Sequence, residues 1–310
     1  MGVVIYYRFF HRFGIRFVQI LGELRGWGGL KMQQVKSKNP WMIHLAIFGL
    51  GIAMLYPIAW LFSSSLKPSY LIFSDQRLWP AEFTIQNYID GWRGVVRQGF
   101  HTFLLNSTFV SLMAVAGNVV SCSLTAYAFG RMNFRMKKPL FALMLATIML
   151  PHHVSMIPQY ILFQNLGWVD SYLPLIIPKW LATEAFFIFL MVQFIRGLPK
   201  DLDESARIDG CGPFQIYWKI ILPLSLPAII TTALFSFVWT WDDFFTQLLY
   251  INSVKLYTVP LGLRLFLDST ADSAWGPLFA MSILALLPSL IIFFSMQKYF
   301  VEGISTTGLK

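Results

Sequence analysis

The chain has 310 residues, 56% of them hydrophobic and 13% charged, against roughly 25% charged in an ordinary soluble domain. A soluble fold would need more polar surface than this composition supplies, so the residues describe an integral membrane protein. The net charge of +9 does not point to nucleic acid, because the basic residues are confined to short segments between apolar runs, as membrane topology requires.

The first seven residues lack the charged leader of a signal peptide, and no cleavage site follows. In "YYRFFHRFGIRFVQIL", Arg8, Arg12 and Arg16 recur every four residues among Phe, Ile and Val. That spacing predicts a surface helix with a basic stripe on anionic membrane lipid, the alternative being an unstructured basic tail. Residues 1–40 therefore read as a cytoplasmic segment and 41–310 as one transmembrane domain.

Six apolar runs in that domain are each near the roughly 20 residues that cross a bilayer. They are expected at about 42–66, with Pro57 as a kink, then 103–129, 139–160, 173–194, 225–249 and 277–299. Of the 24 Lys and Arg, seven lie in residues 1–40, four in "RMNFRMKK", four from Arg196 to Lys219 and two at the carboxyl end, leaving seven elsewhere. This bias predicts a multi-pass protein of the bacterial cytoplasmic (inner) membrane with both termini inside. The outer segments, 67–102 and 250–276, are rich in Trp, Tyr, Asp and Gly and are expected to carry short interfacial helices.

Between the fourth and fifth runs stands "LDESARIDGCGPFQIYWKIILP", Leu202 to Pro223, in an inner loop of about residues 197–223. Asp203 and Glu204 suit a helix start, while Gly210, Gly212 and Pro213 stop it. So short a helix is marginal alone and should be held by something else.

Polar residues inside spans are expensive unless they face the bundle or a cavity. Asn106, Asn118, Glu184, Asp242 and Asp243 are such candidates, with Gln159 and Gln193, and Trp239 and Trp241 flank the acids. Aromatic faces beside carboxylates suit sugars, although tryptophans also anchor helices at interfaces. His152 and His153 have no further ligands in the pattern, and Cys122 and Cys211 give neither a disulfide framework nor metal spacing. No G-x-x-x-x-G-K-[ST] nucleotide motif and no catalytic triad is present.

The inner loop resembles the cytoplasmic signature of permease subunits of bacterial binding-protein-dependent ABC importers: Glu-Ala-Ala, three residues, Gly, nine residues, Ile-x-Leu-Pro. Glu204, Ser205, Ala206, Gly210, Ile220, Leu222 and Pro223 occupy its positions, with Ser205 replacing the second-position Ala. "SSSLKP", "NSTFVS", "ARIDGCG", "WTWDDFF", where Asp242 stands for the family's Asn, and the carboxyl-terminal "QKYFVEGISTTGLK" narrow the resemblance to the second permease of the maltose-type, carbohydrate-importing branch. It covers about residues 40–310; the amino-terminal extension does not fit.

The resemblance implies an all-α fold of six transmembrane helices with a cytoplasmic coupling helix at Leu202 to Asp209, seated on a separate ATPase. Glu204 would form a helix-end or interfacial ion pair, Gly210 the turn and Asp209 a local cap. The partners implied are a second homologous permease, two ATP-binding subunits and an extracytoplasmic solute-binding protein. The cargo implied is a sugar or oligosaccharide. ATP and Mg would be bound by the partner ATPase, so this chain would hold no cofactor, no metal and no catalytic residue. Other readings are an importer of a different small solute, a membrane enzyme joining His152, His153, Glu184 and Asp243, and a secondary transporter. The last two leave the inner loop unexplained.

Overall fold

A computed structural model of the chain describes residues 40–94, 96–268 and 274–307. The expected amino-terminal helix with Arg8, Arg12 and Arg16 lies outside these residues. Every regular element among them is helical. The chain divides into two units, Met1–Tyr56 and Pro57–Lys310. The described part of the first is the beginning of helix α1, Pro40–Ser65, which carries Pro57 inside it.

The second unit continues with α2 (Gln86–Arg93), α3 (Phe100–Arg131), α4 (Lys137–Ile148), α5 (His152–Asn165), α6 (Leu173–Trp180), α7 (Ala185–Gly197) and α8 (Asp201–Ile208). Next come α9 (Pro213–Leu224), α10 (Leu226–Trp241), α11 (Phe245–Tyr250), α12 (Val259–Asp268) and α13 (Trp275–Thr307). Among the described residues, four helical stretches are long and apolar enough to cross a membrane: Ile47–Ser65, Phe100–Arg131, Leu173–Gly197 and Trp275–Lys298. The bent pairs α4/α5 and α9/α10 raise the number to six. The protein is an all-α, polytopic membrane protein.

Three spans differ from the sequence expectation, the third because it is broken between α4 and α5. The fourth is interrupted, because residues 181–184 separate α6 from α7 and Ala182 sits in the left-handed region at φ +56°. The fifth begins twelve residues earlier than expected and ends earlier too. Its first half is α9, which contains a π-helical stretch at Tyr217–Ile221 and meets α10 at 76°. The apolar run beyond Trp241 belongs to the separate helix α11, whose start is held by the Asp243 carboxylate accepting the Thr246 amide at 3.1 Å.

Helix α3 organises this unit, packing on α6, α7 and α10. Its 32 residues span about 48 Å at 1.5 Å per residue, well beyond the roughly 30 Å hydrocarbon core. Its ends therefore reach both polar sides. At one end Asn106 Nδ2 donates to the Lys255 and Tyr257 carbonyls (3.0 and 2.8 Å), and Ser107 Oγ accepts the Val259 amide at 2.8 Å. At the other end the residues around α8 are bound. The segments 250–259 and 198–217 thus lie at opposite ends of one helix.

The segment after α1 folds around the fully buried Lys67. Lys67 donates from Nζ to the Asp75 and Arg77 carbonyls at 2.6 and 2.7 Å. Asn87 of α2 closes the same turn by donating to the Ser65 and Lys67 carbonyls at 2.8 and 2.7 Å. Asp170, at φ +61°, ties the segment before α6 to the one after α11. Its carboxylate accepts the Asn252 and Ser253 amides (3.0 and 2.7 Å) and the Ser253 hydroxyl (2.5 Å). The Ser253 hydroxyl and amide hold that carboxyl below its ordinary range.

Candidate coupling site

Helix α8 opens with Asp201, Asp203 and Glu204 in its first turn, where negative charge offsets the unpaired amides. At its end the Cys211 amide donates to the Ala206 carbonyl (2.9 Å) and the Gly210 amide to the Arg207 carbonyl (3.0 Å). These 6→1 and 5→2 bonds make a Schellman stop, with Gly210 at φ +81° as the left-handed residue. Asp209 is the C-cap, contributing its backbone amide to the Ser205 carbonyl at 3.1 Å. Pro213 then starts α9, and the Gln215 side chain accepts the Gly212 amide at 3.0 Å.

The two faces of α8 differ. Asp203 and Ala206 are buried, and Ala206 joins the apolar cluster of Tyr127, Met191, Ile216 and Tyr217. Leu202, Glu204, Ser205 and Ile208 are exposed, Ile208 at 87% and the nearby Phe214 at 70%. The Ser205 hydroxyl donates to the Asp201 carbonyl at 2.8 Å on the exposed side, so replacing the usual small Ala leaves packing unchanged. Ile220 and Leu222 are half-buried and Pro223 is exposed in α9.

Among the described residues, the ion pair made within the chain at this helix is that of Asp203. Arg131, the last residue of α3, places Nε 3.3 Å from Asp203 Oδ2, with the side chains only 4% and 10% exposed. Arg131 also donates to the Leu198 carbonyl at 2.8 Å. Tyr127 donates to the Pro213 carbonyl at 3.0 Å. Sequence reading missed both residues as site residues. It counted Arg131 only as an inner-flank charge, and nothing local links it to a residue 72 positions later.

The candidates for the transport path do not form one cluster. Glu184 pairs with Lys179 across the break between α6 and α7, each side chain 28% exposed. That break rests on the middle of α3, where Ser121 donates to the Lys179 carbonyl at 2.8 Å. Trp239 is exposed and stacks on Phe187, with centroids 5.1 Å apart, beside Phe186. Trp241 is 2% exposed, and its indole N–H donates to the Ala285 carbonyl at 3.0 Å, which makes it part of the core. Asn118 donates to the Ser236 hydroxyl at 2.8 Å in a buried position, Asn106 staples the segment after α11, and Asp242 is exposed. His153 lies against the Phe245 ring, 6.1 Å between centroids. Among the described residues no group of three or more His, Cys, Asp or Glu is placed to hold a metal ion.

Among the described residues, a broken-span helical bundle with a short helix packed at one end is the architecture of a polytopic membrane subunit. Residues 122–306 match the family of binding-protein-dependent transport system inner membrane components. The chain is 31% identical over 271 residues to the sn-glycerol-3-phosphate transport system permease protein UgpE of Brucella melitensis, covering 85% of this chain and 95% of that protein. It is 29% identical over 279 residues to the arabinooligosaccharides transport system permease protein AraQ of Halalkalibacterium halodurans, covering 87% and 96%. Its fold is that of a chain in the crystal structure of a bacterial ABC transporter that imports the acidic polysaccharide alginate. The TM-score there is 0.76 at 21% identity, over 87% of this chain and 100% of that one. The protein belongs to the family of binding-protein-dependent transport system inner membrane components and is an ABC-transporter permease subunit.

Proposed function

We propose that this chain is one of two permeases in an ATP-driven importer of a sugar or oligosaccharide, with both termini in the cytoplasm. Residues 41–310 form its transmembrane domain and 1–40 a cytoplasmic segment. The observation that carries this reading is α8. The first four positions of the family motif, Glu204 to Gly210, coincide with a short helix that has one anchored face and a glycine-terminated end, and Leu202 and Ile208 of that helix, with Phe214 of α9 close by, leave apolar side chains exposed. Exposed apolar side chains next to charged ones, at the end of α3 where the basic residues collect, suit a soluble ATPase as the surface they meet.

In this reading two ATPase subunits closing on ATP push α8, and the bundle passes cargo delivered by an extracytoplasmic binding protein. Leu202, Glu204, Ser205, Ala206, Asp209, Gly210, Ile220, Leu222 and Pro223 make the coupling element. Glu204, exposed in the first turn, faces the ATPase. ATP and Mg stay on that partner. Glu184, Trp239 and Asp242 line the path.

The polyhydroxylated cargo is supported by the maltose-type motifs and by the relative named for arabinooligosaccharides. A phosphate-ester cargo is the second reading, favoured by the relative named for glycerol 3-phosphate and by Lys179, a cation at the interrupted span.

The test is mass spectrometry of what co-purifies with the chain from its native membrane. A second permease, an ATPase and a binding protein are expected, and the binding protein is then screened against glycans and phosphate esters. Recovery of the chain without an ATPase in every mild detergent refutes the reading. Glu204→Lys is expected to leave the complex assembled and hydrolysing ATP while uptake of the identified ligand is lost; normal coupled uptake in that variant refutes the role given to α8.

A further inference from the structure

Three side chains at the inner end of α3, Ser123, Tyr127 and Arg131, recur every fourth residue and therefore lie along one face of the helix. Ser123 shares a hydrogen bond of 2.8 Å with the Tyr217 hydroxyl in α9. Tyr127 holds the Pro213 carbonyl just after α8, at 3.0 Å. Arg131 holds the Leu198 carbonyl just before it (2.8 Å) and faces Asp203 in its first turn (3.3 Å). The Arg131–Asp203 contact is charge attraction more than an aligned hydrogen bond, since Nε makes none. In a buried setting that attraction is little screened. Helix α8 is thus gripped on both sides by a helix to which the chain does not directly join it.

The elements that the chain does join to α8 are hinged. Upstream, α7 is separated from α6 by the break at 181–184. Downstream, α9 carries a π-helical stretch and meets α10 at 76°. Helix α3 is continuous over 32 residues with no proline. A displacement applied at a hinged helix is absorbed where its hydrogen-bond ladder is interrupted, whereas a continuous helix carries it along its length. The far end of α3 is itself fixed to the outer segment through Asn106 and Ser107.

We propose that α3 is the element through which displacement of α8 reaches the outer side of the bundle, with Arg131 and Tyr127 as the positioning residues that join them. This rests on α8 being the coupling helix, and the experiment separates the two ideas.

The complete complex, in right-side-out vesicles, carries Lys255→Cys as a reporter in a background with Cys122 and Cys211 replaced by alanine. A membrane-impermeant maleimide added outside measures the labelling rate of position 255 before and after trapping with ATP and vanadate, so no cargo need be known. The rate is expected to change on trapping. That change is expected to shrink on the order of tenfold, the size of a typical coupling free energy, in Arg131→Met and Asp203→Asn, with ATPase activity and assembly retained. The exchanged pair Arg131→Asp with Asp203→Arg recovers most of it. Joining Ser123→Cys to Tyr217→Cys with a short bifunctional thiol reagent leaves the response intact, because the two positions move together.

A lost response on joining 123 to 217, or a normal response in Arg131→Met and Asp203→Asn, overturns the proposal. Should Arg131→Met fail to assemble, Tyr127→Phe, which removes one hydroxyl, and the joined pair decide. Glu204→Lys is the control. If it alone abolishes the response, the route through α3 is wrong and α8 still couples; if it responds normally, α8 is not the coupling helix.

Discussion

Replacing Gly210 by alanine isolates the backbone requirement of α8 from any packing requirement. Gly210 sits at φ +81°, and a Cβ built there meets nothing within 4 Å. The whole cost is therefore conformational, about 1–2 kcal/mol for an L-residue in the left-handed region. That lowers the population of the closed Schellman turn by roughly 5- to 30-fold. Gly212, two residues on, supplies the control: it also has open space around it, but its φ of −73° and ψ of 165° are ordinary for any residue. Amide hydrogen exchange of residues 205–212 in the purified complex is the assay. Gly210→Ala is expected to exchange roughly 5- to 30-fold faster at the Gly210 and Cys211 amides, Gly210→Asn by less, and Gly212→Ala at the native rate. Equal behaviour of the two alanine variants would refute the argument that a left-handed turn defines the end of this helix.

Lys179→Met leaves Glu184 without its partner inside an interrupted span. The loss is expected to be roughly 1–3 kcal/mol, below the figure for a fully buried pair because both side chains are 28% exposed. Thermal midpoints of the solubilised complex should fall, and adding Glu184→Gln should recover most of the loss. For Asp170 the sign follows from its lowered folded value. Its stabilisation is present above the ordinary carboxylate value of about 4 and disappears as pH falls through the folded value. Protection of the Asn252 and Ser253 amides should hold at neutral pH and collapse only in acid, while Asp170→Asn removes that pH dependence. Gly262→Ala puts a Cβ 2.3 Å from Cδ2 of the fully buried Phe103. Overpacking of about 1–3 kcal/mol should lower both abundance and thermal midpoint.

The spans were legible because about twenty apolar residues leave few alternatives, and the inner loop was legible because its charges and glycines stand out against that background. The breaks were not. Reading 225–249 as one span followed hydropathy across Asp242 and Asp243. Helix α9 instead carries the crossing upstream to Pro213, where the missing proline N–H costs nothing at a first helical position. Lys179 escaped notice because a residue five positions before Glu184 does not share its face on a continuous helix. Only the left-handed Ala182 brings the two together. Arg131 with Asp203, and Trp241 with Ala285, join distant helices, and no periodicity encodes such pairs.

The side-chain hydrogen bonds of α3 to other elements run from Asn106 to Arg131, but their task differs with depth, and this follows from the solvent. Lipid gives no hydrophobic drive for helices to associate, so contact at mid-depth depends on close approach and on few polar bonds. Gly117 supplies the approach: a Cβ there would stand 2.6 Å from Trp180 Cδ1, so the indole packs directly on the α3 backbone. Ala114, Cys122 and Ala126, all fully buried, keep the same helix narrow above and below that point. Asn118 with Ser236, and Ser121 with the Lys179 carbonyl, are the polar additions at this depth. Toward the polar sides, where a competing water is available, specificity has to come from geometry. There Asn106 and Ser107 bind three backbone groups of one segment, and Tyr127 and Arg131 bind the surroundings of α8. Small residues at mid-depth set how close the helices lie, and polar residues toward the ends set which segments they hold.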